Sequence, residues 1–133
     1  MSVASAFDIR IDRSARHNVV QLIGELDLGS CDLMRQAVAD DALWDAPVIL
    51  DLSALTFCDS SGLRELLDLH RRAAARQATL RLTGVSVEVH RVFELTGTLA
   101  YFELYPDLAA ALLGPVQPAE SDSAGNSVPS PQS

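Results

Sequence analysis

The chain has 133 residues, one domain's worth, with 10 Lys+Arg against 18 Asp+Glu and a formal net charge of −8. Affinity for nucleic acid, or for an anionic membrane surface, rests on clustered basic side chains, so this balance argues against both partners. Hydrophobic residues make up 48%, enough for a core, yet no run approaches the roughly 20 consecutive apolar residues of a membrane span.

Met1 to Asp12 shows no basic-then-apolar leader pattern, and Cys31 and Cys58 are too few and too poorly spaced for a disulfide framework or a zinc site. A soluble, cytoplasmic chain is expected, with no membrane insertion, cofactor or metal. All ten basic residues are arginine; this fits a GC-rich genome and removes every mechanism that needs a lysine.

Phe7, Ile9 and Ile11 alternate with Asp8, Arg10 and Asp12, the period of a half-buried strand. Ser14 to His17 is short enough for a hairpin loop, and Asn18 to Ile23 supplies a second strand. Gly24-Glu25-Leu26-Asp27-Leu28-Gly29 interrupts the pattern, and a helix is predicted over Ser30 to Leu43 with Ser30 as N-cap. Pro47 opens Val48-Ile49-Leu50, a continuous apolar run that predicts a central strand buried on both faces. Asp51 reads as the turn residue that ends it.

A second helix is predicted over Ser61 to Ala75. Leu63, Leu66, Leu67 and His70 form its apolar stripe, and Arg64–Asp68 and Asp68–Arg72 stand at pairing distance. Thr79 to Leu82 alternates again and Val85 to Leu95 is helical, with Glu88, Arg91 and Glu94 on a solvated face. Tyr101 to Leu104 reads as a short strand and Leu108 to Leu113 as a last helix. Trp44 and Phe57 are expected in core or rim packing, the two cysteines as small buried apolar residues.

The order β-β-α-β-α-β-α-β-α predicts a single α/β domain, a mixed β-sheet with helices packed on it. Its expected limits are residues 7–113, after an extension at 1–6. Residues 114–133 hold four of the six prolines, five serines and no aromatic, the composition of a disordered Pro/Ser-rich tail.

The informative junction is Asp59-Ser60-Ser61-Gly62, where a central strand feeds the N-terminus of a helix, the place where α/β sheets put their sites. Residues of this kind cap helices everywhere, accepting bonds from the free N–H groups of the first turn. The same geometry also presents a serine hydroxyl at the positive end of a helix dipole, where a phosphate is tolerated. The spacing alone leaves both readings open.

Asp59-Ser60-Ser61-Gly62-Leu63 after Val48-Ile49-Leu50-Asp51-Leu52 resembles the signature of the STAS domain family, specifically its anti-sigma factor antagonists. Gly24-Glu25-Leu26-Asp27 resembles a second landmark of that family, and Val89 to Thr98 a third. The resemblance implies a mixed sheet with helices to one side and a non-enzymatic, partner-switching role in transcription regulation. It implies phosphorylation of Ser60 by an anti-sigma factor with serine-kinase activity, with Ser61 helping to cap the helix and a phosphatase reversing the mark. Asp27, Asp59, Ser60, Ser61, Gly62 and Leu63 would form the partner-binding surface. The alternative within the family is a non-phosphorylated adaptor subunit of a transporter or stress-signalling complex.

Other classes fit less well. A serine-hydrolase elbow needs Gly-x-Ser-x-Gly, but Cys58 stands two residues before Ser60. Of the histidines, His17 lies in the hairpin loop, His70 on a helix face, and nothing ties His90 to the serine. A phospho-aspartate receiver centred on Asp51 would need an acidic pair and a lysine. The glycine-rich fingerprints of nucleotide sites are missing.

Overall fold

The computed structural model of the chain describes residues 7–14 and 16–114; the expected N-terminal extension and nearly all of the expected tail lie outside these. Strands β1 (Phe7–Arg13) and β2 (Asn18–Leu26) form an antiparallel hairpin, Phe7 opposite Gly24 and Arg13 opposite Asn18. A 3-10 turn at Leu28–Ser30 leads into α1 (Cys31–Ala37), and a second at Asp41–Asp45 precedes β3 (Val48–Cys58). Then come α2 (Ser60–Ala75), β4 (Leu80–Thr83), α3 (Val87–Thr96), a third 3-10 turn (Leu99–Tyr101), β5 (Leu104–Tyr105) and α4 (Leu108–Leu113).

The sheet runs β1-β2-β3-β4-β5, and every pair after the hairpin is parallel. Three successive crossovers thus advance in one direction, and right-handed crossovers of that kind stack their helices on one face. Burial agrees: Met34 of α1, Leu63, Leu66, Leu69 and Ala73 of α2, and Val89 and Phe93 of α3 share a core with Val20, Leu22, Leu50, Leu52 and Leu82. The opposite face is covered by α4. Ile49 is fully buried beside its register neighbour Arg81, whose Nη1 donates to the Ala111 carbonyl at 2.9 Å. Leu50 therefore faces the crossover helices and Ile49 faces α4, so this stretch of β3 carries no polar side chain. The helices are not all to one side.

Several boundaries differ from the expected ones. Helix α1 stops at Ala37 because Asp40 starts a new turn, its carboxylate accepting from the Ala42 N–H at 3.0 Å. The last short strand begins at Leu104, the preceding residues forming the 3-10 turn. The apolar stripe of α2 runs through Leu63, Leu66, Leu69 and Ala73, leaving Leu67 and His70 half-buried at its edge. Asp68 pairs with Arg72 at 3.0 Å and more loosely with Arg71 at 3.9 Å, not with Arg64. Gly114 still belongs to the fold, its N–H donating to the Ala110 carbonyl at 3.1 Å.

The difference that matters most is in β3. Its pairing with β4 ends at Asp51–Thr83, while its pairing with β2 continues to Leu26–Cys58. Past Asp51, β3 is therefore an edge strand beside β2 and β1, and once β1 ends opposite Gly24 only Glu25–Leu26 and Phe57–Cys58 run on as a short two-stranded ribbon. Register shifts flank Gly24, whose φ of 97° suits a glycine. Asp51 lies inside β3 and does not end it; its Oδ1 accepts the Ser53 N–H at 2.9 Å. Phe57, on the ribbon, is 48% exposed and is not core.

Candidate functional site

Because Leu26 and Cys58 are register partners, the residues that follow them, Asp27 and Asp59, leave the ribbon side by side. The Asp59 N–H donates to the Leu26 carbonyl at 3.2 Å, extending the pairing by one residue. Asp59 then turns the chain into α2. Its Oδ1 accepts the Gly62 N–H at 2.9 Å and its carbonyl accepts the Leu63 N–H at 2.9 Å. Asp59 is thus the N-cap, and Ser60 is already the first helical residue. The expected capping role of Ser61 falls to Asp59 alone.

Gly62 is the residue that lets this turn approach the ribbon. A Cβ there would lie 2.4 Å from the Leu26 carbonyl oxygen, 2.9 Å from Leu26 Cγ and 3.0 Å from Cys58 Sγ. Gly62 and Leu63 are both buried, so they position the surface and do not form part of it. What remains outward is Ser60, exposed, with Asp59 and Ser61 half-buried. Among the described residues neither serine hydroxyl has a hydrogen-bond partner. The N–H groups of Ser60 and Ser61 are the free donors of the first turn, since Asp59 has taken the next two.

Asp27 is held just as firmly. Its N–H donates to Ser30 Oγ at 2.9 Å, and Ser30 Oγ lies 3.0 Å from Asp27 Oδ1 and 2.8 Å from the Glu25 carbonyl, able to donate to one of them at a time. Ser30 is 1% exposed, so this network sits beneath the surface. Its hydroxyl does not cap α1; it clamps Asp27. Cys31 Sγ stands 3.1 Å from the Asp27 carbonyl and 3.6 Å from that of Ser61, joining the Asp27 turn to the first turn of α2. Both cysteines are buried. Burial, reinforced by the Asp59 charge, pushes the Cys58 thiol up to about 12, and burial followed by Glu65 raises that of Cys31. Neither thiol is a nucleophile in this state.

No histidine meets Ser60. His17 closes the β1–β2 turn, its N–H donating to Ser14 Oγ at 3.1 Å. His70 lies ten residues along α2, roughly 15 Å away at ~1.5 Å per residue, and His90 Nδ1 faces Glu94 at 3.4 Å. A hydroxyl without a base is a poor nucleophile. What the site offers is a fixed backbone, a free hydroxyl, two unused N–H donors and two carboxylates.

The sequence matches the STAS domain over residues 8–111. The chain belongs to the STAS domain family. Among curated proteins, the anti-sigma F factor antagonist of Paenibacillus polymyxa is 29% identical over 97 residues, covering 71% of this chain and 82% of that protein. The crystal structure of an anti-sigma factor antagonist from Mycobacterium paratuberculosis superposes with a TM-score of 0.72 at 25% identity, covering 85% of this chain and 96% of that one. The anti-sigma factor antagonist SpoIIAA in its unphosphorylated form gives 0.65 at 24% identity, covering 82% and 99%, and agrees in fold.

In this STAS domain two of the resembled landmarks, Gly24 to Asp27 and Asp59 to Leu63, meet at the ribbon tip. The third, Val89 to Thr98, forms α3 and its left-handed Gly97 cap, φ 70°, with Val89 and Phe93 buried in the shared core. Sequence reasoning missed Ser30 and Cys31 as site residues. The signal for Ser30 was present, since Asp27 and Ser30 have the i, i+3 spacing of a reciprocal cap.

Proposed function

We propose that this STAS domain is an anti-sigma factor antagonist, a binding module whose site catalyses nothing. With Ser60 unmodified, it docks on an anti-sigma factor that is also a serine kinase and thereby frees the sigma factor. Phosphorylation of Ser60 ends the docking, and a phosphatase restores it, all in the cytoplasm. The observation that carries this reading is the exposed Ser60 hydroxyl at the first residue of a 16-residue helix, on a backbone tied down by Asp59 and Leu26. The naming of the curated and structural relatives supports it.

The physical consequence of the modification is local. A phosphate adds about −1.5 to −2 charges. The free N–H groups of Ser60 and Ser61 and the helix dipole, worth about 0.3–1 kcal/mol, accommodate it, so the fold persists. Asp27 and Asp59 already make the rim acidic. A partner surface that met a neutral hydroxyl then meets a dianion among carboxylates, and like-charge or desolvation costs of several kcal/mol fall on the interface.

The test is to incubate the purified chain with ATP and each purified serine kinase of this type from the same genome, and to map phosphate by mass spectrometry. One phosphate is expected, on Ser60. Ser60→Ala should accept none and stay bound. Ser60→Asp should keep its circular-dichroism spectrum and lose affinity at least about tenfold, the equivalent of about 1.4 kcal/mol. Phosphate confined to Ser61 or to serines after residue 114 would overturn the assignment.

A further inference from the structure

Along α2, Ser60, Arg64, Leu67 and Arg71 recur at i, i+4, i+7 and i+11, one stripe of the helix surface. At its far end Leu67, His70, Arg71 and Tyr101 enclose a surface pocket of about 310 Å3. The pocket is framed by fixed groups. The His70 ring meets Phe102 edge-on at 6.0 Å, and Phe102 lies 5.0 Å from the fully buried Phe93. Tyr101, 58% exposed, forms the opposite wall.

The charges on this stripe differ from those nearby on α2, at its C-cap and on the neighbouring α1. Arg72 is held by Asp68 at 3.0 Å, Arg76 by Asp41 at 2.6 Å, and Arg35 by both Asp32 and Glu65. Arg71 reaches Asp68 only at 3.9 Å, and Arg64 has no ion pair among the described residues. In a chain of net charge −8, two loosely held guanidiniums beside an apolar-walled pocket make a local cationic stripe that runs away from the acidic rim at Asp27 and Asp59. A merely solvated helix face would show the charges but not the pocket.

We propose that this pocket is an anchor for the partner that docks at Ser60. It takes an acidic segment, with an apolar side chain entering between Leu67 and Tyr101 and a neighbouring carboxylate meeting Arg71 and Arg64. This rests on the docking reading and deepens it: Ser60 gates the contact, while the pocket supplies affinity and, through the opposed charges of the two ends, orientation. Buried aromatic and arginine contacts are the ones that dominate interface energies.

The probe is the same set of purified serine kinases, titrated calorimetrically against wild type, Arg71→Glu and Tyr101→Ala. Both substitutions are at exposed positions, and circular dichroism verifies the fold. Each is expected to weaken binding at least about tenfold, more than most interface positions do. A charge-reversing substitution of an acidic partner residue should then recover affinity for Arg71→Glu. Folded variants that bind as wild type does would overturn the anchor and leave the Ser60 gate standing; should Tyr101→Ala fail to fold, Arg71→Glu alone decides. A wild-type chain that binds none of the kinases would overturn the docking reading itself, and the anchor with it.

Discussion

Replacing Gly62 by alanine is the most direct probe of how α2 is set against the ribbon. Alanine is normally the better helix residue by about 1 kcal/mol, so helix propensity alone predicts stabilisation. The structure predicts the reverse. The added methyl would lie 2.4 Å from the Leu26 carbonyl oxygen, whereas a carbon–oxygen contact relaxes at about 3.3–3.6 Å. The first turn of α2 must therefore retreat by about 1 Å, against a carbonyl fixed by the Asp59 N–H. Overpacking of this kind costs about 1–3 kcal/mol, and a backbone obstacle belongs at the upper end. Set against the propensity gain, a net loss of roughly 2 kcal/mol remains. For a domain of this size, that lowers Tm by roughly 8 °C. Thermal and urea unfolding measure it. Adding Cys58→Ala, which removes only the 3.0 Å sulfur contact, should not rescue the variant. A Gly62→Ala chain as stable as wild type, or more so, would refute the close approach and with it the argument for how Asp27 and Ser60 are brought together.

Ser30→Ala removes the acceptor of the Asp27 N–H and the donor near the Glu25 carbonyl in a buried place; the loss should be about 1–3 kcal/mol. Urea unfolding and faster hydrogen exchange at the Asp27 amide would show it, and an unchanged midpoint would count against the clamp. The Cys58 thiol gives an alkaline signature. Its ordinary value is 9.0 and the fold pushes it up to about 12. Below pH 9 both states keep the proton and the stabilisation is complete. Above it the unfolded chain releases a proton that the native chain holds, so stability falls by up to about 1.4 kcal/mol per pH unit. Tyr105, itself raised to about 12, joins only above its ordinary value of 10.0, so the interval from pH 9 to 10 reports the thiols. Cys58→Ala should flatten the slope there, leaving the smaller share of Cys31; equal slopes would show that burial does not suppress this thiolate.

Much of the fold was legible where an element keeps one environment along its length. The alternation in β1, the two-sided run at Val48 to Leu50 and the apolar residues of α2 each report a simple environment. Where the environment changes within an element, the pattern misleads. β3 continues through Asp51 because β2 still pairs with it after β4 has ended, and as an edge strand it exposes Ser53, Thr56 and Phe57. In α2, Leu66, Leu67 and Leu69 are all apolar, so two neighbouring stripes fit the periodicity and only the sheet's position selects the one through Leu69. Asp40 and Asp41 divide what looks like one helix from Ser30 to Leu43, since a local carboxylate bond competes with helix continuation.

The site divides along the same line. Asp59 and Ser60 are legible because a cap and an exposed hydroxyl depend on their immediate neighbours. The close approach of Gly62 to Leu26 and the contact of Cys31 with the Ser61 carbonyl depend on which strand end lies beside which, and no local spacing encodes that. The local clamps and the free Ser60 hydroxyl are thus readable, and what is hard to read is the contact that sets the two turns against each other. On the proposed function a fixed backbone carrying a free hydroxyl is what a phosphoswitch requires. Clamped on both sides by Asp59–Gly62 and Asp27–Ser30, the backbone has little room to absorb an added charge by moving. The free energy of modification then has to appear at the docking surface and not as a rearrangement of the domain.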